Sequence, residues 1–109
     1  MKSIEMKPLF IPLKREYFNA FASGEKTDEL RRYGKRWNER TCPQGRLVIL
    51  SLGYGKANRL GGVIRRFKKQ HGTTFGSTYK KAIEAVFGTL DIDIACIEIT
   101  DLRNINEKW

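Results

Sequence analysis

Apolar positions along this chain recur with two different periods, and the switches between them mark out the elements. Residues 8–13 (Pro-Leu-Phe-Ile-Pro-Leu) form a short apolar run. Pro12 lacks a backbone donor there, which predicts a first strand placed at a sheet edge or interrupted. Over residues 15–23 the apolar Tyr17, Phe18, Ala20 and Phe21 fall at helical spacing, and Gly24 stands where a helix ends in a left-handed residue. A second strand is predicted over residues 27–33. Residues 34–45, rich in Gly, Asn, Pro and charge, read as a loop with one helical turn at 36–39. Residues 46–52 read as a buried strand, 53–56 as a turn, and 59–69 as a further strand in which Gly61 and Gly62 permit a bulge. Ser77 is positioned to cap a helix running to about residue 87, with Tyr79, Ala82, Ile83, Val86 and Phe87 on the helical period and Gly88 to end it. The last strand spans residues 92–100. Its apolar residues change parity between Ile92, Ile94, Cys96 and Ile97, Ile99, so it is buried on both faces or bulged. Separate strands with only two helical segments predict an α+β fold, a small mixed β-barrel with two main helices, rather than a doubly wound sheet.

Composition narrows this picture. With 109 residues, 40% of them hydrophobic and 30% charged, the chain has the make-up of one folded domain spanning residues 1–109 with a single modest core. Enzymes with separate cofactor and substrate domains are excluded. The apolar runs are far shorter than the ~20 residues of a membrane span. The start, Met1-Lys2-Ser3-Ile4-Glu5, has an acidic residue where a secretory signal carries its apolar stretch. A cytoplasmic protein with no membrane partner is therefore expected. Cys42 and Cys96 are too sparse for a disulfide framework and read as free thiols, and with one His in the chain no zinc site, other metal or cofactor is implied.

Charge is where the sequence becomes informative. Against 12 acidic residues stand 21 basic ones, a formal net charge of +9. Residues 1–39 carry nine basic and six acidic side chains, residues 40–83 ten and none, and residues 84–109 two and six. The middle stretch holds Arg40, Arg46, Lys56, Arg59, Arg65, Arg66, Lys68, Lys69, Lys80 and Lys81, with Tyr54, Phe67, Phe75 and Tyr79 interleaved. Cations that displace counterions from phosphates, next to rings on which bases can stack, are the footprint of a polyanion-binding surface. Gly53-Tyr54-Gly55-Lys56 is not a phosphate loop, since Leu50 stands where the first Gly belongs and Ala57 follows the Lys; it is a tight turn bearing a cation. His71 sits beside no nucleophile motif and reads as an exposed loop histidine.

The most informative stretch is Gly24-Glu25-Lys26-Thr27-Asp28-Glu29-Leu30-Arg31. On a strand Glu29, Arg31 and Tyr33 share one face, and Lys26 on the preceding turn can swing its ammonium over it. Two cations and a carboxylate so grouped suit an anionic ligand: Arg31 offers a fork of donors, Lys26 a mobile charge, and Glu29 orients Arg31 or accepts a proton. Lys14 and Arg15, directly after the first strand, are expected at the same mouth if that strand pairs with the second.

The pattern GxKxxExR after a strand, a short aromatic helix and a Gly turn resembles the ASCH domain family. The resemblance begins at Leu9-Phe10-Ile11-Pro12-Leu13-Lys14-Arg15-Glu16-Tyr17-Phe18 and continues weakly to residues 92–100. It implies a PUA-like β-barrel and RNA-related work around a cleft at the motif. RNA binding is the first expectation, with Lys14, Arg15, Tyr33, Tyr54, Lys56, Arg59, Arg65 and Arg66 as contacts and Tyr33 or Tyr54 as a stacking surface. The alternative is a metal-independent ribonuclease in which Glu29 takes the 2′-hydroxyl proton while Lys26 and Arg31 neutralise the transition state. A nucleoside amidohydrolase is the third: in that branch a Thr serves as nucleophile at the position held here by Glu29, and Thr27 stands two residues too early. From a different class, a module that docks an acidic protein partner also accommodates the charge.

Overall fold

The computed structural model describes residues 6–105; residues 1–5, read above against a secretory signal, lie outside them. Five strands and two helices run in the order β1 (Leu9–Leu13), α1 (Arg15–Ser23), β2 (Asp28–Arg32), β3 (Leu47–Leu52), β4 (Arg59–His71), α2 (Ser77–Phe87) and β5 (Asp93–Asn104), with a 3-10 turn at Gly72–Thr74. The strands form one sheet in the order β1-β3-β4-β5-β2, parallel between β1 and β3 and antiparallel elsewhere. It curls into a half-barrel, so the α+β, barrel-like expectation holds.

The alternation of buried and half-buried residues in β1 is that of a strand with one face inward, and Pro12 sits on an edge strand where no ladder bond is lost. The concave face gathers Ile11, Val48, Leu50, Ile64, Ala95, Ile97 and Ile99 with Phe18 and Phe21 of α1 into the main core. Each such Ile, Leu or Phe contributes ~1.5–3 kcal/mol on leaving water. On the other face Ile94 and Cys96 pack with Ile83 of α2, joined by Leu30, Phe75 and Phe87. The parity change in the last strand is thus burial on both faces: residues 94–97 are all buried, odd positions inward and even positions under α2.

Two irregularities interrupt the β4/β5 ladder. From Gly61↔Arg103 to Val63↔Thr100, β5 advances one residue more than β4, and Asp101 in that step takes φ 57°. From Ile64↔Ile99 to Arg66↔Glu98 the extra residue is Arg65 on β4. The irregularity beside Gly61 and Gly62 follows the sequence, but its extra residue lies on β5 and not at the glycines; the bulge at Arg65 is not foreseen by it.

Several expectations are corrected. No helix forms in residues 34–45, and the single turn expected at 36–39 lies instead at 38–42, where the Asn38 carbonyl accepts from the amides of Thr41 (3.2 Å) and Cys42 (2.9 Å). The Asn38 side chain donates to the carbonyls of Gly34 (2.7 Å) and Lys35 (3.1 Å) and accepts from the amides of Arg40 and Thr41. Those bonds offer the backbone an alternative to the helical ladder. The α2 cap is Gly76, with Ser77 already the first helical residue and no side-chain cap bond. β4 runs to His71, since Gln70 and His71 pair with Ile94 and Asp93. His71 is no free loop residue: its Nδ1 accepts from the Thr73 amide, which leaves Nε2 to donate to Asp91 at 3.3 Å. Strands β1 and β2 do not pair, being the two edges of the sheet. Both cysteines are buried and unbridged, as expected. No helix among the described residues is long and apolar enough to cross a membrane.

Two outcomes follow from this packing. A Cβ on Gly72 would stand 2.4 Å from the Leu90 carbonyl oxygen, whereas one on Gly34 would meet nothing within 4 Å. Gly72→Ala is expected to lower the unfolding free energy by about 1–3 kcal/mol in a denaturant titration, and Gly34→Ala to change it by less than about 0.5 kcal/mol. Burial pushes the Cys96 thiol up to about 11. The folded protein then holds a proton that the unfolded chain has lost, so stability is full below about pH 9 and falls as pH rises toward 11. Cys96→Ala should make that alkaline decline shallower in melts taken across this range.

Candidate functional site

Helix α1 ends at Gly24, whose φ of 87° turns the chain back, and the Lys26 amide then bonds to the Ala20 carbonyl at 3.0 Å. This return lays the Lys26 ammonium 5.5 Å and 5.3 Å from the ring centres of Tyr17 and Phe21. Register does the rest: Glu29 pairs with Ile97 and Arg31 with Ala95, so both side chains enter the concave face, as the strand parity requires. Glu29 is buried, at 6% exposure. Lys26 Nζ lies 3.6 Å from Glu29 Oε1, and Arg31 Nε donates to Glu29 Oε2 at 2.6 Å. A buried carboxylate is costly unless paired, and here each oxygen faces its own cation. Arg31 also donates through Nη2 to the Pro12 carbonyl at 2.8 Å, and its guanidinium lies 4.9 Å from the centre of the Trp37 ring.

These groups form the floor and polar end of a cleft of about 640 Å³. Lys14, Lys26, Glu29 and Arg31 contribute the charge, Tyr17 a ring, and Ala82, Ile83, Ala85, Val86 and Phe87 of α2 the apolar wall. Its size lies within the usual ~300–1,000 Å³ of a small-ligand site. Val86 lines this cleft while 58% exposed, so part of the apolar stripe of α2 faces the cleft; Tyr79, 52% exposed, lies outside its lining.

The other sequence-predicted residues are dispersed. Arg15 begins α1, exposed and outside the cleft lining. Tyr54, 80% exposed on the β3–β4 turn with Lys56, tilts against Phe10 at 6.0 Å, and Arg59 lies over the same Phe10 ring at 5.3 Å. Tyr33 donates its hydroxyl to Glu39 and sits 4.4 Å beneath the Lys69 ammonium. That hydrogen bond pushes the tyrosine's pKa up and holds the Glu39 carboxyl below its usual range. Arg65 and Arg66 meet at Glu98 on the β4 bulge. The wall contributed by α2, Trp37 and the Pro12 carbonyl were not foreseen. Only the apolar period of α2 hinted at any of them, and it equally described a buried helix. Among the described residues, no group of three His, Cys, Asp or Glu is placed to hold a metal ion.

No protein-family model and no curated protein matches the sequence. Among solved structures, the crystal structure of a single-substitution variant of ZmASCH from Zymomonas mobilis superposes with a TM-score of 0.67 over 88% of this chain and 69% of that one, at 16% identity. A second ZmASCH variant gives 0.63 over 92% and 73%, also at 16%. The fold is ASCH-like. The GxKxxExR residues lie on the turn after α1 and on the edge strand β2, and in this ASCH-like frame they bind to each other and to β1 before they bind anything else.

Altering either cation should lower stability. Arg31→Lys loses the fork that spans Glu29 and Pro12, and is expected to cost about 1–3 kcal/mol of stability. Lys26→Ala removes the longer pair, at 3.6 Å, and leaves the buried Glu29 with Arg31 alone, so it should cost about 1–2 kcal/mol. Urea unfolding monitored by tryptophan fluorescence measures both.

Proposed function

We propose that this ASCH-like domain binds RNA and seats one nucleotide of a single-stranded or structured segment in the cleft at the GxKxxExR residues. The observation that carries this reading is the division of the cleft lining between the cationic Lys14, Lys26 and Arg31 and the apolar side chains of α2. A nucleotide is divided the same way, with an anionic phosphate and a flat base of low polarity that an unpaired strand can turn outward. The net charge of +9 favours encounter with any polyanion and supports the same reading.

The geometry favours binding over strand cleavage. A ribonuclease would use Glu29 to take a proton, yet Oε1 faces Lys26 and Oε2 holds Arg31. The donors of Arg31 are likewise shared with Glu29 and Pro12. Lys26, half-buried but outside the tight pair, is the group best able to turn toward a ligand.

Labelled single-stranded and hairpin RNA, titrated at low and moderate salt and then sized on a gel with and without chelator, tests the proposal. Intact RNA should be retained, and Lys26→Ala should weaken it about tenfold at a temperature where circular dichroism shows the variant still folded. Chelator-resistant cleavage that disappears in Glu29→Gln would replace binding by nuclease activity. Absence of any retention at low salt would defeat the RNA reading and leave an acidic protein as the partner to seek.

A further inference from the structure

We propose that Arg65 and Arg66 form a second anion site, for a phosphate group, at the β4 bulge. Consecutive residues of a regular strand point to opposite faces. Here the extra residue at Arg65 breaks that alternation, and both guanidiniums approach one carboxylate: Arg65 Nη1 at 3.4 Å from Glu98 Oε2 and Arg66 Nε at 3.7 Å from Glu98 Oε1. Bulges recur where a strand re-aims a side chain for use.

The pairing is unbalanced and loose. Two cations share one anion, which leaves a unit of positive charge and most of the guanidinium donors unspent. The arginine side chains are 59% and 67% exposed. The Arg31–Glu29 pair offers the contrast, at 2.6 Å with the arginine 25% exposed. A contact of 2.6 Å holds a structure together, whereas separations of 3.4–3.7 Å exceed those of a strong charge-assisted bond and yield to a better acceptor. Lys69, the next paired cation along β4, is matched one to one with Asp93 at 3.8 Å and covers Tyr33, so it carries no such surplus.

Both arginines line a recess of about 410 Å³ beside the β2–β3 loop. Gln44 adds a side-chain amide and Phe67 an apolar floor. Glu39, the carboxylate among the lining residues, stays ionised, with one oxygen accepting the Tyr33 hydroxyl and the Lys69 ammonium as a nearby opposing charge. A tetrahedral oxyanion can take a fork from each arginine, which Glu98 with two oxygens cannot offer to both. None of these residues lines the motif cleft, so the two sites are separable by mutation.

The arginine Nε–H resonances of the full chain, recorded while inorganic phosphate is added and compared with chloride at equal ionic strength, test the site. Phosphate is expected to shift the Arg65 and Arg66 signals and chloride to leave them. Equal response to both salts, or none, overturns the proposal. The source of the phosphate is then read from a hexauridylate titration, which rests on the RNA reading above. If the site takes an RNA phosphate, the paired change Arg65→Gln and Arg66→Gln flattens the dependence of log K on log salt by about 0.7, the share of one phosphate on a single strand. An unchanged slope, with the phosphate shifts present in the wild type, assigns the site to small phosphorylated ligands. Should Lys26→Ala leave RNA binding intact while the phosphate shifts persist, the cleft reading fails and this site stands. If the paired change lowers the melting temperature and the wild type shows no phosphate-specific shift, the arginines serve only the fold and the proposal is wrong.

Discussion

A sheet ordered β1-β3-β4-β5-β2 has two edges, and every edge presents backbone groups that the ladder leaves unpaired. In this half-barrel the edges are tied across the seam by one side chain. Arg31 leaves β2, takes its orientation from Glu29 beside it, and donates to the carbonyl of Pro12 on β1. Pro12 suits the partner's role: it has no amide to satisfy, and its carbonyl lies at the edge. Glu29 can be buried only because Arg31 and Lys26 face it, and Arg31 is held in place only because Glu29 and the Trp37 ring flank it. The burial of the carboxylate and the polar lining of the cleft are therefore consequences of one arrangement, set across the seam that the curled sheet leaves open. Any ligand chemistry here has to work with groups that already hold the fold, which makes Lys26 the separable member.

The local rules read most of the fold correctly. Gly24 and Gly88 end α1 and α2 with φ of 87° and 82°, as their positions implied, and Pro12 marks an edge strand. The shared face of Glu29 and Arg31 follows from a period of two and nothing more. What escaped the sequence depends on distant segments. That β1 and β2 meet without pairing is a property of the curl, and so the expected proximity of Lys14 to the motif came true for a different reason than the one supposed. Asn38 sets the loop's one turn later than its expected place, through side-chain bonds that its residue type allows but does not dictate. The apolar period of α2 could not say that Val86 would line a cleft instead of filling a core, because that depends on how far the helix stands off the sheet.

Charge was legible in amount and not in placement. Residues 40–83 contain no acid of their own, yet β4 runs antiparallel to β5 and so receives its acids from the far end of the chain. Glu98 answers Arg65 and Arg66, and Asp93 answers Lys69. Arg46 is drawn inward to the carbonyls of Lys7 and Thr41. Part of this run of cations is thus gathered into small clusters, each with its own balance. Local surplus, as at the bulge, is more informative than the total.

The pinning of Gly72 bears on how this chain can change over evolutionary time. Its amide bonds to the Ile92 carbonyl at 2.8 Å, and its Cα packs against Leu90, so the path out to α2 and the path back leave the sheet at one point. Everything between is an excursion whose ends are already closed. Lengthening such a segment carries only a slowly growing entropic cost, about 0.6 kcal/mol for each doubling. The wall of the cleft can therefore change in length while β4 and β5 keep their register, provided that Ile83 continues to cover Ile94 and Cys96.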